Sequence, residues 1–570
     1  MHVARVRLHW FRGYVEQVIM PARHAVVVGE PRAGRSDLIM GLRRALDPRS
    51  WSRTPDLADL HRPDPQREED APEEETVVEV TLLGLGADLQ QDLDDRLELI
   101  NSKTGLPADK GQGTDGVLGV RIRYRIYFDE VLADYNHAWE YAATGTPVPR
   151  LERDMLAAVV IGPGTPLQLR SGGVFRAMVT EQDPGAIRAA IEELGDDVTS
   201  AAGKLADVKA VQAVLARILD EGAACVLGAP EPSSSVGFVA DDGSVDALLR
   251  RLQPTLALDD AGPLPLSAHG STTKGVLAVA EAMTAANIAG AVVLADDFGD
   301  DLDAASGEFL AAALRRASGQ VWLSTRRPEV VRAFDSTEVL RLTRSHGGRQ
   351  HHQLAATTDK KSRLARRQLH LLLLPAMTTR SVALLEGPLD MEGYTAVADR
   401  RLTDAGILPP AAYGVRMIAA GIGGGGGKEQ LPKLADLARK LGFHVRVVID
   451  NDKPGSDAKL LAELDGLAEI IRLPERTAVE RALVRGLSAE AQRAALSVVN
   501  DLYGLGLNVD DVTNVDLEDT IVKQLKHKNG LHQPFVAALP DGAIPSLAAE
   551  VLDTLTKPPG QQALTELQNP

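Results

Sequence analysis

Short apolar runs that end on a carboxylate and then a turn restrict the fold of this chain more than any other feature. Arg446-Val447-Val448-Ile449 delivers Asp450-Asn451-Asp452 into a turn at Lys453-Pro454-Gly455. An earlier run, Ser381-Val382-Ala383-Leu384-Leu385, ends in Glu386-Gly387, with Asp390 one helical turn beyond. Runs of this kind read as buried strands of a parallel sheet, with their functional groups at the carboxyl ends. Side chains at i and i+2 of an extended segment point the same way, so Asp450 and Asp452 can share one divalent cation. The four acids outline a metal site.

The amino-terminal half carries a second set of such runs. His24-Ala25-Val26-Val27-Val28 reads as a buried strand, followed by Gly29-Glu30-Pro31-Arg32-Ala33-Gly34-Arg35-Ser36 and a helical pattern from Leu38 to Leu46. A glycine loop opening a helix sets backbone N–H groups around phosphates, and Ser36 is available to Mg²⁺. Arg35 stands where such loops carry lysine. It keeps the charge, but a planar guanidinium does not bridge phosphates as an ammonium does. Gly290-Ala291-Val292-Val293-Leu294-Ala295 ends in Asp296-Asp297, two acids suited to holding Mg²⁺ and orienting a water.

These segments resemble an ABC-type ATPase. The run ending in Asp296 is similar to its Walker B strand, with Asp297 where that class usually has Glu. Val321-Trp322-Leu323-Ser324-Thr325-Arg326 is similar to the strand that ends in its switch histidine, here Arg326. Leu266 to Lys274 sits where the signature loop opens a helix, and Val3 to Leu8 with Phe11-Arg12-Gly13 matches the first strand and turn. The resemblance implies ATP binding and leaves hydrolysis open.

Bulk properties narrow the setting. At 570 residues the chain is long enough for several cores. With 44% apolar and 25% charged residues the composition is that of an ordinary folded protein. The single cysteine, Cys225, rules out an intrachain disulfide and a cysteine zinc site. No apolar run approaches the roughly 18 residues of a membrane span, so a cytoplasmic protein is expected. A formal charge of −17 argues against non-specific coating of nucleic acid. A local basic cluster, Lys360, Lys361, Arg363, Arg366 and Arg367, can still meet phosphates or simply be a solvated helix face. His351-His352 lacks a third ligand at metal spacing and is expected at the surface.

The carboxy-terminal segment, about residues 378 to 535, resembles the Toprim domain of topoisomerases, primases and certain nucleases. An ABC-type ATPase followed by a Toprim domain is the layout of the OLD (overcoming lysogenisation defect) family of ATP-dependent endonucleases, which includes the Gabija nuclease subunit. The expected fold is α/β, with four divisions. Residues 1–355 form an ATPase-like domain carrying a helical insert over about 165–260, a candidate dimerisation element. A basic connecting helix at 356–377 leads to the Toprim domain at 378–535, and 536–570 is a tail. Ile187, Ala190, Ile191 and Leu194 mark one face of the insert, and Val208, Val211, Val214, Leu215 and Ile218 another.

The resemblance implies that Glu386, Asp390, Asp450 and Asp452 hold Mg²⁺ or Mn²⁺ in a two-metal site. It implies a further carboxylate at Glu480, with Glu518 in reserve, and a basic residue at Lys528 or Lys526 that stabilises the transition state. Ala478 replaces a serine that the family often places two residues before the last acid. Gly423 to Lys428 reads either as a phosphate loop or as the turn between a strand at Val415–Ala420 and a helix at Gln430–Leu441. The implied activity is nicking or cutting of duplex DNA, controlled by nucleotide at Gly29, Gly34, Arg35, Ser36, Asp296 and Asp297. A homo-oligomer, a helicase partner and a role in anti-phage defence are part of the same expectation. The alternative is a nucleotide-sensing assembly protein that hydrolyses little ATP.

Overall fold

The computed structural model describes residues 1–48, 54–62, 75–108, 116–162, 166–169, 174–206, 208–209, 249, 252, 254–258, 262–289, 291–345, 348–421, 427–453, 455–527, 530–560 and 564–569. Within the helical insert, Val174–Gln182 and Pro184–Ala206 are helices. Val208 is exposed, and Val211, Val214, Leu215, Ile218 and Cys225 lie outside the described residues.

Three large sheets organise the chain. The first is antiparallel: β1 (His2–Phe11), β2 (Tyr14–Ile19), β4 (Glu75–Leu83), β5 (Glu98–Asn101), β6 (Gly116–Asp129) and β7 (Asp134–Tyr141). The second runs β14-β13-β3-β12-β11-β8, built from β3 (Ala25–Gly29), β8 (Val159–Ile161), β11 (Val292–Ala295), β12 (Gln320–Ser324), β13 (Val339–Ser345) and β14 (Gly348–Gln353). Its strands are parallel except β14. A two-residue pair, β9 (Thr255–Leu256) and β10 (Leu264–Pro265), stands apart.

The third sheet is wholly parallel, in the order β16-β15-β17-β18-β19, from β15 (Ser381–Leu385), β16 (Val415–Ala419), β17 (His444–Ile449), β18 (Glu469–Arg472) and β19 (Leu564–Glu566). Strand order reverses between β15 and β17. In open parallel sheets, ligands settle outside the carboxyl ends at such a switch point. Every residue of β15 is buried, in keeping with a strand covered on both faces.

The last segment is integral to this sheet rather than a tail. The helix Ser546–Thr556 buries Leu547, Val551, Leu552 and Leu555 in the core under β15 and β17, and β19 pairs with β18. Arg446 on β17 holds the segment in place, donating to the carbonyls of Leu555 and Lys557 at 2.6 Å each while its Nε meets Glu469 at 2.9 Å. Read as a tail, residues 536–570 nonetheless carry Leu547, Val551, Leu552 and Leu555 at helical spacing, and only the tertiary structure shows what they dock against.

The second and third sheets share one apolar cluster. It runs from Val28, Leu314 and Leu323 through Leu373 and Leu374 to Leu384, Leu434 and Leu437. The basic helix Lys360–Leu373 bridges the two, with His370 and Leu373 buried and Lys360, Lys361, Arg363 and Arg367 exposed. His351 and His352 are half-buried on β14, contrary to a surface placement. As neighbours on a strand they point to opposite faces, and each face is covered: the His351 ring meets Gln17 at 2.6 Å and the His352 ring meets Thr343 at 2.8 Å.

Candidate functional site

The glycine loop after β3 closes on the helix Arg35–Leu46. Gly34 caps that helix with φ 94°, and a side chain there would collide with the Arg349 guanidinium. The β1–β2 hairpin packs over the loop: Tyr14 donates its hydroxyl to Gly34 O at 2.9 Å, and Arg12 reaches Asp59 at 2.7 Å and Asp37 at 3.3 Å. Arg349 pairs with Asp37 from β14. The result is a cleft of about 560 Å³ lined by Arg32, Gly34, Arg35, Ser36, Arg344 and Arg349. Four arginines at a helix amino terminus suit a polyanion such as a triphosphate.

The acids after β11 face the same loop from two strands away. Asp296 bonds to the Ser324 hydroxyl, and that oxygen also accepts from Asp297 N at 2.8 Å. Asp297 sits at φ 48°, and burial together with neighbouring Asp296 raises its carboxyl above the usual range. Arg35 donates to Thr325 O at 3.1 Å. Arg326 pairs with Asp300 and lies 3.9 Å from Asp297. Arg326 and Arg35 thus offset part of the charge around Asp297, whose carboxyl still stays raised.

At the switch point of the third sheet, Glu386 follows β15 and Asp450 follows β17, side by side. Asp450 N donates to Glu386 Oε1 at 3.1 Å. Asp390 sits in the first turn of the helix Pro388–Ala405, where its carboxylate accepts from Gly387 N at 2.9 Å. Glu480 is brought in by a pairing the sequence did not advertise. Asn451 N donates to Thr477 O at 2.8 Å, and Thr477 N returns a bond at 3.3 Å, which sets the short helix Val479–Ala482 beside the Asp450 turn.

Burial and mutual repulsion perturb these acids together. Burial pushes Glu386 up to about 7, against the pull of Lys428. Burial, with help from Glu480, pushes Asp390 up to about 6. Asp450 is raised well above the carboxylate range by burial and then by Glu386, Asp390 and Glu480. Tyr394, fully buried at i+4 from Asp390, feels all four acids, and its hydroxyl has no hydrogen-bond partner. One oxygen of Asp457 and one of Glu480 are likewise buried without a bond.

Asp452 departs from the i, i+2 expectation. The strand ends at Ile449, so the alternation of faces stops there, and Asp452 lies exposed while Asp450 faces Glu386. Among the described residues no group of three His, Cys, Asp or Glu side chains is posed to hold one ion. Lys428 explains the gap. Its Nζ lies 3.5 Å from Glu386, 3.9 Å from Asp452 and 3.3 Å from Asp457. The donor set still fits a hard divalent cation, being all carboxylate with buried oxygens left unsatisfied.

The remaining candidates divide clearly. Glu518 is engaged by Arg481 at 2.5 Å and Arg485 at 3.5 Å, while Glu480 acts on the cluster. Lys526 approaches Glu480 at 3.8 Å, and Lys528 lies outside the described residues. The turn reading of Gly423 to Lys428 has Gly427 at the start of a helix, Gly427–Lys440, and residues 422–426 lie outside the described set. A side chain at Gly427 would run into Glu386 O. Tyr394, Asp457, Arg344 and Arg349 escaped sequence reading. Only Tyr394 carried a signal, its i+4 spacing from Asp390.

No family model matches the sequence, and no curated protein matches it. Solved structures similar to it include an SMC head bound to the C-winged helix domain of ScpA, at 14% identity and TM-score 0.36, covering 64% of this chain and 99% of that one. The SMC head domain from Thermotoga maritima is 11% identical with TM-score 0.30, covering 62% of this chain and all of the other. No helix among the described residues is long and apolar enough to cross a membrane.

Proposed function

We propose that this chain is a Mg²⁺- or Mn²⁺-dependent endonuclease acting on duplex DNA, with a Toprim-type site governed by nucleotide at a degenerate ABC-type site, as in the OLD family. The observation that supports it is the meeting of Glu386, Asp390, Asp450 and Glu480 at the switch point of a parallel sheet, with burial and repulsion raising Glu386, Asp390 and Asp450. Such a cluster is unfavourable unless a cation joins it. Glu386, Asp390, Asp450, Asp452 and Glu480 would hold the metals. Bound Mg²⁺ or Mn²⁺ supplies an activated water and neutralises charge on a phosphodiester. Lys526, beside Glu480, is the described basic residue placed to meet a phosphate.

The nucleotide cleft supports ATP as a regulator. Arg35 and Arg326 are both committed to groups around Asp297, which favours a site that binds more readily than it hydrolyses. That same observation supports a second reading, a nucleotide-sensing assembly protein acting through a helicase or other partner. Self-association and anti-phage defence belong to the proposal as well.

Supercoiled plasmid nicking in Mg²⁺ or Mn²⁺, with and without ATP, separates the two. Cleavage that vanishes in an Asp450→Ala/Asp452→Ala protein supports the nuclease. Absence of cleavage under every condition leaves the sensor.

A further inference from the structure

The acid cluster contains its own cation. Six carboxylates, Glu386, Asp390, Asp450, Asp457 and Glu480 with the exposed Asp452 at the rim, are reached among the described residues by two lysines, of which Lys526 meets Glu480. Lys428 meets three of the six, and its Nζ also lies 3.4 Å from Asp450 O. No contact is shorter than 3.3 Å, so the ammonium is spread among its partners rather than locked to one. Buried Asp457 is its nearest carboxylate, and the buried Tyr394 hydroxyl, without a hydrogen-bond partner among the described residues, feels Glu386, Asp390, Asp450 and Glu480.

We infer that Lys428 is the resident counter-ion of the acid cluster, and that a divalent cation enters in competition with its ammonium. This rests on the metal-site reading above. Lys428 lies in the first turn of the helix Gly427–Lys440, whose start packs so closely on Glu386 O that a side chain at Gly427 would run into it. The side chain, with four rotatable bonds, is the part free to move. When a divalent ion draws Glu386 and Asp452 toward itself, the ammonium swings away from them while Asp457 retains it. Lys428 is therefore a positioning residue: it holds the carboxylates together before metal arrives and sets how strongly they bind it.

The test is calorimetric titration of the full-length protein with Mn²⁺ alone, comparing the natural chain with Lys428→Met, Lys428→Arg and Asp450→Asn/Asp452→Asn. Removing one positive charge a few ångströms from the ion is expected to tighten Mn²⁺ binding by about tenfold or more. Lys428→Met is also expected to melt at a lower temperature in EDTA and to gain more from Mn²⁺ than the natural protein does. Lys428→Arg, which keeps the charge, is expected to bind close to the natural affinity. Equal or weaker Mn²⁺ binding by a folded Lys428→Met protein overturns the inference and leaves the metal site standing. If the natural protein binds no more Mn²⁺ than the Asp450→Asn/Asp452→Asn protein, the metal-site reading itself fails and takes the inference with it. If Lys428→Met does not fold, Lys428→Gln carries the same comparison.

Discussion

The guanidinium of Arg341 lies 3.6 Å from the ring centroid of Phe443, joining the sheet that carries the glycine loop to the sheet that carries the acid cluster. Arg341 is fully buried on β13 and has no carboxylate in contact. It donates instead to Leu441 O at 2.7 Å and Thr379 O at 2.6 Å. Three residues further on, Arg344 lines the arginine-rich cleft at the glycine loop. Leu441 directly follows the helix Gly427–Lys440, which has Lys428 in its first turn. One strand and one helix thus span the distance between the two sites.

Arg341→Met is expected to destabilise the protein by about 2–4 kcal/mol, because two buried carbonyls lose their donor while the apolar stem is kept. Urea unfolding measures the loss. A change below about 0.5 kcal/mol would show that water satisfies those carbonyls.

Gly34→Ala is expected to weaken binding of a fluorescent ATP analogue by roughly tenfold or more, since alanine is strained at φ 94° and meets Arg349. Arg349→Ala in the same background relieves the collision and recovers part of the affinity. Recovery absent from the double variant would place the whole effect on the backbone.

In EDTA, Glu386→Gln is expected to be more stable than the natural protein at pH 8, by about 1–3 kcal/mol, and inactive in nicking. Folding raises Glu386 from 4.5 to about 7, so the folded state binds the extra proton and loses stability as pH climbs through that interval. The advantage of the variant should therefore be complete above pH 7 and vanish near pH 4.5. Thermal melts at several pH values read it directly.

Two buried histidines oppose that trend. His370 and His532 are held near 4 by burial, and neither ring nitrogen of His532 has a partner. Each is neutral when folded and takes up a proton on unfolding, so its contribution is intact above about pH 6.5 and is lost as pH falls toward 4. A His370→Leu/His532→Leu protein should show a shallower fall in melting temperature between pH 6.5 and 4.5. An unchanged slope would count against this assignment.

Removal of residues 541–570 is expected to abolish soluble expression. It strips Leu547, Val551, Leu552 and Leu555 from the core, at about 1.5–3 kcal/mol each, and leaves buried Arg446 without the carbonyls it serves.

The sequence alone marked the buried strands that carry the two sites. The runs ending at Gly29, Ala295, Leu385 and Ile449 are predominantly apolar and bounded by glycine or carboxylate, a local pattern that reads as a buried strand. It also determined which acids stand at strand ends, since a polar group directly after a buried strand has to emerge at the edge of the sheet. What only tertiary structure decided is what those acids meet. Glu480 reaches the cluster through the Asn451–Thr477 pairing, and Glu518 is drawn off to Arg481. Asp452 turns outward because the strand stops one residue before Asp450. Lys428 falls among the carboxylates because the helix it opens packs beneath β15 and β17. The segment after residue 536 closes the sheet because Arg446 binds its carbonyls, a contact between groups 109 and 111 residues apart. Periodicity records which face of an element is buried. It carries no record of which distant backbone or side chain fills the other half of a bond.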